Sequence, residues 1–230
     1  IMDTVHMEIP MSPPVVPPGP VPPAARSTYR HGDLRRALLD AGIELARDGG
    51  PDAVALREVT RRAGVVPNAA YRHFASRREL LGAGRAAPLR APPAPMEKEL
   101  AVLPREQPPL DFARAQVRAI GTAYLRFAQA EPGLFRTAFV VSSEDAEGEV
   151  GPASVGASGM GPFQLLGAAI DRLVEAGALE ASRRPDAEYL AWSAVHGLAL
   201  LIIDGPLKGI GAEAAHALGQ RLIDMVERGL

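Results

Sequence analysis

The chain has 230 residues, 47% of them apolar and 23% charged, which is enough sequence for one large or two modest domains with a real core. It has no cysteine, which excludes disulfides, a thiol nucleophile and a thiolate metal site, and no apolar run approaches the roughly 18 residues that span a bilayer. The net charge of −2 hides an asymmetry: residues 26–90 carry 13 Arg or Lys against 7 Asp or Glu, so a basic first part suited to a polyanion is joined to an acidic remainder.

Residues 1–25 hold eight prolines between Pro10 and Pro23 and read as an extended, disordered tail. They lack the basic start, apolar centre and small-residue cleavage pattern of a signal peptide, and a cytoplasmic location is expected. From Asp33 the pattern turns helical, with Leu34, Leu38, Ala41 and Leu45 on one stripe, until Asp48-Gly49-Gly50-Pro51 ends it. A second helix is predicted from Leu56 to Ala63, followed by a turn at Gly64 with positive φ. A third starts near Pro67, a residue suited to a first helical turn, and runs to about Phe74. Ser76 and Glu79 have the spacing of a capping box for a fourth. Gly82, Gly84, Pro88, Pro92, Pro93 and Pro95 should end that helix near Ala87, since an interior proline costs about 3 kcal/mol. Residues 88–109 then read as a linker with one helical turn around Met96 to Val102. Beyond it, helices are expected at 110–130, 132–141, 162–176, 185–204 and 211–228, with a mobile Gly- and Ser-rich loop at 142–161. The predicted fold is all-α. A three-helix DNA-binding domain occupies 26–87 and a helical domain 110–230.

The functional signal lies between Leu56 and Phe74. Two short helices around Ala63-Gly64-Val65 make a helix-turn-helix, whose second helix enters the major groove. Arg57 can pair in bidentate fashion with guanine, and Asn68 can read a base edge near the start of the recognition helix that Pro67 opens. Tyr71, His73 and Arg77 suit phosphates, which fix register without reading sequence, and Arg72 suits either task. Arg26 and Arg30 are candidates for the adjacent backbone or minor groove.

In that order, the opening helix, the Gly-rich corner, the Ala-Gly-Val turn, Tyr71-x-His73-Phe74 and Ser76-Arg-Arg-Glu-Leu-Leu81 resemble the DNA-binding domain of the TetR family. The segments Tyr124-Leu-Arg-Phe-Ala-Gln-Ala-Glu-Pro-Gly-Leu-Phe-Arg136 and Ala191-Trp-Ser-Ala-Val-His-Gly197 resemble a C-terminal subgroup of that family marked by a Trp…His-Gly pattern. The resemblance implies a homodimer whose last two helices form a four-helix interface, an operator of double-stranded DNA, and a small-molecule effector bound in the C-terminal domain. The residues permit such an interface: Leu218, Leu222 and Met225 form a stripe, and the helix from Leu190 to Ile203 is apolar on nearly all sides.

Four features depart from the family pattern. Ala55 and Val66 replace the usual Ser or Thr caps, at about 1 kcal/mol each. Ala69 replaces a commonly polar residue and leaves an apolar contact, for example with a thymine methyl. The proline-rich stretch falls where the family has a long helix carrying the ligand signal between domains.

Phe127, Phe135, Phe139, Trp192 and His196 are candidates for the effector pocket, Trp192 and His196 sharing a helix face four residues apart. Phe163 is a further candidate wall of the same cavity. For any one residue plain core packing is the favoured account, with a pocket still expected somewhere in this domain. No enzyme is expected. Gly82-Ala-Gly84-Arg-Ala-Ala87 approximates a dinucleotide loop but follows helical sequence instead of a strand. Gly156-Ala-Ser158-Gly-Met160 lacks the last glycine of a nucleophile elbow. His6, His31, His73, His196 and His216 have no metal-ligand spacing, so neither metal nor cofactor is expected. The leading expectation is a ligand-released repressor without a membrane partner. The alternative is a small-molecule-binding or interaction protein of the same fold whose DNA binding has lapsed.

Overall fold

The computed structural model describes residues 31–86, 95–139 and 158–230, and among these it is all-α. The expected tail at 1–25, Arg26, Arg30 and most of the loop expected at 142–161 lie outside the described residues.

The head comprises α1 (His31–Gly49), α2 (Leu56–Arg62), α3 (Pro67–Tyr71) and α4 (Arg77–Ala86), with a single 3₁₀ turn at Pro51–Ala53. The predicted stripe of α1 faces inward: Leu38, Ala41 and Leu45 pack with Val54, Val59, Ala70, Phe74, Leu80 and Leu81. Gly64 has φ +68, as its turn demands. That left-handed residue lets the Val65 N–H return to the Thr60 carbonyl at 3.0 Å and close α2. The recognition helix is shorter than predicted, ending at Tyr71 instead of Phe74. His73 and Phe74 still donate backbone bonds to Ala70, so the chain leaves in a turn that drops Phe74 into the core.

Residues 95–101 differ more. Where one helical turn within a linker was expected, α5 (Pro95–Ala101) is a two-turn helix with Met96 buried in the C-terminal core and Leu100 packed against it. Pro95, read as a breaker, occupies the first helical position, where its missing N–H has no helical acceptor to lose. The same placement opens α3, α6 (Pro109–Ala130), α7 (Pro132–Ala138) and α8 (Pro162–Glu175). The last two helices are α9 (Ala187–Ile203) and α10 (Ala212–Gly229). Helix α7 stops three residues short of its expected end.

Helix α6 is the axis of the body and packs against α5, α7, α8, α9 and α10. Its buried residues, among them Val117, Ile120, Tyr124, Leu125 and Ala128, cover a face too wide for a single partner. Ionic braces tie it to α10: Arg114 reaches Glu227 at 2.9 Å, and Arg118 pairs with both Asp224 and Glu227. Arg184 joins α8 to α9 through Asp171 and Glu188, each at 2.6 Å. No helix among the described residues is long and apolar enough to cross a membrane.

Helix α7 belongs to both halves. Leu134 completes the core of the head, while the next residue, Phe135, is buried in the core of the body. Gly133 lies against the α1 backbone so closely that a Cβ there would sit 2.2 Å from the Ala46 carbonyl oxygen and 2.4 Å from that of Arg47.

Candidate nucleic-acid interface and sensor cluster

The recognition helix sorts its residues cleanly. Ala70 and Phe74 are fully buried, whereas Pro67, Asn68, Tyr71 and Arg72 face solvent and Ala69 and His73 are half-buried. Tyr71 is 57% exposed, so an aromatic ring that taken alone suits a core stands outside it. Val66, 69% exposed, extends the same surface. Ala55 and Val66 hold the extended backbone of caps yet make no side-chain cap bond, in keeping with the lost Ser or Thr oxygen. At α4 the cap is present: Ser76 Oγ accepts the Glu79 N–H at 3.1 Å, and the Glu79 carboxylate accepts the Ala75 N–H at 2.6 Å.

The arginines of the head divide into two groups. Arg61 pairs with Glu58, Arg62 bridges Glu44 and Asp48, and Arg35 lies over the Phe74 ring. Arg77, a phosphate candidate, donates from Nε to the Val54 carbonyl at 2.8 Å and from Nη2 to that of Pro51 at 2.5 Å, with Asp52 at 3.5 Å. Its guanidinium therefore clasps the corner between α1 and α2. Arg57 and Arg72 are exposed, and no hydrogen bond or ion pair holds either side chain among the described residues. The cations left unpaired thus sit on or next to the two helices of the motif.

In the body, the five rings proposed from the sequence come together. Phe135 stacks on His196 with centroids 5.5 Å apart, and Phe139 meets His196 edge-on at 4.7 Å. Phe139 lies 5.9 Å from Trp192, and Phe127 lies 6.3 Å from Phe135. Phe163 and Tyr189 continue the row outward, 4.7 Å apart, with Phe163 also 5.8 Å from Trp192. The residue at its centre is Tyr124, which lies in the quoted Tyr124–Arg136 segment without having been singled out. Trp192 Nε1–H donates to the Tyr124 hydroxyl at 3.0 Å, and that hydroxyl bonds His196 Nδ1 at 2.7 Å. Burial holds the Tyr124 hydroxyl protonated well above its usual range and lowers the pKa of His196. The hydroxyl accepts the indole N–H on one lone pair and keeps its own proton and a second lone pair for Nδ1, so the bond suits either neutral tautomer of His196. Tyr124 was legible in principle, three residues before Phe127 on the same helix face.

The contacts between head and body also went unread in the sequence. Besides Gly133 on α1, Arg47 of α1 bonds Glu131 at 3.0 Å, and Arg136 of α7 clasps Asp204 at the end of α9 with bonds of 2.7 and 2.5 Å. A separate groove of about 580 Å³ between α6 and α10 is lined by Thr122, Leu125, Gln129, His216 and Gln220 among others, and none of the five rings borders it.

Comparisons with known proteins agree with both halves. A family model described as bacterial regulatory proteins, tetR family, matches residues 38–83, and one described as tetracyclin repressor-like, C-terminal domain, matches residues 117–226. Together they cover more than half of the chain. No curated protein matches it. Similar solved structures include a protein of unknown function from Rhodococcus sp. RHA1, with a TM-score of 0.67 and 26% identity over 89% of this chain and 99% of that one. The TetR family transcriptional regulator PfmR from Thermus thermophilus gives a TM-score of 0.54 at 20% identity, over 84% of this chain and 98% of its own. A TetR variant from Acinetobacter baumannii AYE, solved in complex with minocycline, gives 0.50 at 19% identity, over 84% and 93%.

Proposed function

The chain is a transcriptional regulator of the TetR family, and from that membership we propose that it is a homodimeric repressor, released from a palindromic operator when a small molecule occupies its C-terminal domain. The observation that carries the reading is the outward face of the motif. The side chains of Asn68, Tyr71, Arg57 and Arg72 face solvent with no hydrogen bond or ion pair among the described residues, while Arg61 and Arg62 beside them are paired. Arg57 and Asn68 read base edges, with Ala69 against a thymine methyl. Tyr71, Arg72 and His73 hold phosphates. Arg77 acts chiefly by fixing the corner on which α2 stands, and Pro67 by opening the helix. The protein works in the cytoplasm, where the chromosome is, and catalyses nothing.

The dimer is formed by α9 and α10. Leu190 is 63% exposed and Met225 60%, with Leu200 and Leu201 also partly turned outward, so the last two helices carry apolar positions left open by the described residues. The effector binds against Phe127, Phe135, Phe139, Trp192 and His196. Its signal reaches DNA through α7, which joins that cluster at Phe135 to the head at Gly133 and Leu134. A ligand with different affinity for two placements of α7 shifts the heads by that difference.

The test is binding of the purified protein to the intergenic DNA beside its own gene, with competitor DNA, at two salt concentrations. Saturable binding to a short palindrome that survives competitor is expected. Weak, uniformly salt-sensitive binding by an intact dimer, with no specific site genome-wide, would instead favour a small-molecule-binding or interaction protein whose DNA binding has lapsed. The uncapped starts of α2 and α3 are the observation behind that second reading.

A further inference from the structure

Among the described residues the head leaves two large hydrophobic side chains outside, Tyr71 at 57% exposure and Val66 at 69%. Both belong to the recognition helix or to its start. Val66 is the N-cap of α3, in extended backbone with φ −72 and ψ 147, and it makes no side-chain cap bond. Its neighbour Val65 packs against the core of the head, and Val66 does not. The position therefore forgoes the capping bond that a Ser or Thr oxygen would make, without gaining a packing contact in exchange. Neither the helix nor the core accounts for a valine here.

Two further residues continue the same edge. The N-cap and the third helical residue adjoin at a helix start, as the pair that a capping box joins, and here they are Val66 and the half-buried Ala69. Exposed Pro67 stands between them in the chain. All three side chains are hydrocarbon only. The backbone adds little, because Pro67 has no N–H and the Ala69 N–H turns back to the Val66 carbonyl at 2.9 Å. A phosphate would meet no charge and few donors at this edge. In the major groove, where the start of a recognition helix meets base edges, the one apolar group is the C5-methyl of thymine.

We infer that Val66 is a specificity residue, which together with Pro67 and Ala69 packs on thymine C5-methyl groups in each half-site of the operator. The inference rests on the operator-binding reading above and adds a second mode of readout to it. Arg57 and Asn68 read by hydrogen bonds, whereas this edge reads by methyl contact. Cytosine, adenine and guanine carry no methyl group in the groove and are disfavoured at the position that faces Val66.

The full-length protein is used to select its site from a random duplex library. The enriched site is then synthesised with deoxyuridine in place of thymidine, one position of each half-site at a time. That exchange removes the C5-methyl and leaves the base pairing and the O4 acceptor in place. At the thymine facing Val66, wild-type affinity should fall about fourfold per half-site, the worth of one buried CH₂ group, and about fifteenfold with both half-sites exchanged. Val66→Ser should bring this ratio close to unity, whereas Val66→Ile, which keeps an apolar side chain, should retain it. The serine also supplies a cap oxygen, so folding is no obstacle to the measurement. Because the ratio is taken within each variant, a new contact of the hydroxyl away from the exchanged base leaves it unchanged. Enrichment of a site in which no thymine responds to the exchange would overturn the inference and leave operator binding standing. So would a response that persists undiminished in Val66→Ser. Enrichment of no site at all would overturn the inference and the operator-binding reading together.

Discussion

Head and body place their arginines differently. In the body, Arg114, Arg118, Arg136, Arg172 and Arg184 each bond a residue of another element, and the result is a set of braces across a large apolar core. The head braces its corners with Arg62 and Arg77 but leaves Arg57 and Arg72 to solvent on the motif itself. A brace is complete within the protomer, whereas an exposed, unpaired cation keeps its donors for solvent or a partner. The body leaves Arg105, Arg221 and Arg228 to solvent as well, so it is their position on the motif that sets Arg57 and Arg72 apart.

The sharpest way to break that division is to compare two aromatic residues three positions apart. Phe74→Ala should cost about 3–5 kcal/mol of stability, because it empties the fully buried centre of the head. Tyr71→Ala should change stability by no more than about 0.5 kcal/mol and yet weaken operator binding. Urea melts paired with operator titrations check both, and a large stability loss for Tyr71→Ala would place that ring in the fold after all. Next in size is Gly133→Ala. The new Cβ meets backbone oxygens that cannot rotate away, so about 3 kcal/mol of overpacking is expected, with hydrogen exchange speeding up in α1 before it does in α6.

Arg118→Ala and Arg57→Ala test the two kinds of arginine directly. The first should lose about 1–2 kcal/mol of stability by leaving Asp224 and Glu227 short of a partner, with operator affinity per folded dimer unchanged. The second should leave the melt alone and cost about 1–3 kcal/mol of operator binding, concentrated at one base position. An equal loss across all sequences would mean that Arg57 touches phosphate only. The smallest effect is a gain: Ala55→Ser and Val66→Ser restore cap oxygens at positions whose backbone is already extended, for about 1 kcal/mol each in thermal melts.

Local rules carried most of the fold. The inward stripe of α1, the left-handed Gly64 and the Ser76–Glu79 cap are all decided within a few residues of chain, and all three are present. Pro95 shows where such rules divide. The same residue ends a helix from inside and opens one at its first position, and only the burial of Met96 behind it decides which. The five rings of the aromatic cluster could be gathered from spacing and family likeness, but their hub could not be ranked. Nothing near Tyr124 in the sequence says that its hydroxyl lies between residues 68 and 72 positions away. Gly133 was invisible for the same reason, because its neighbour is the backbone of a helix that ends more than eighty residues earlier.

In the two-fold dimer proposed above, that glycine contact would have a mechanical corollary. A symmetry axis would turn every tilt of one head about α7 into an equal and opposite tilt of the other, so the gap between recognition helices would change by twice the single displacement. Half-sites lie about 34 Å apart along the duplex, and a hydrogen bond stretched from about 2.9 Å to 3.6 Å is lost. Less than an ångström of slip at each end would then take both proposed reading helices out of register, and a backbone contact with no side chain between its surfaces has no soft layer in which to absorb that slip.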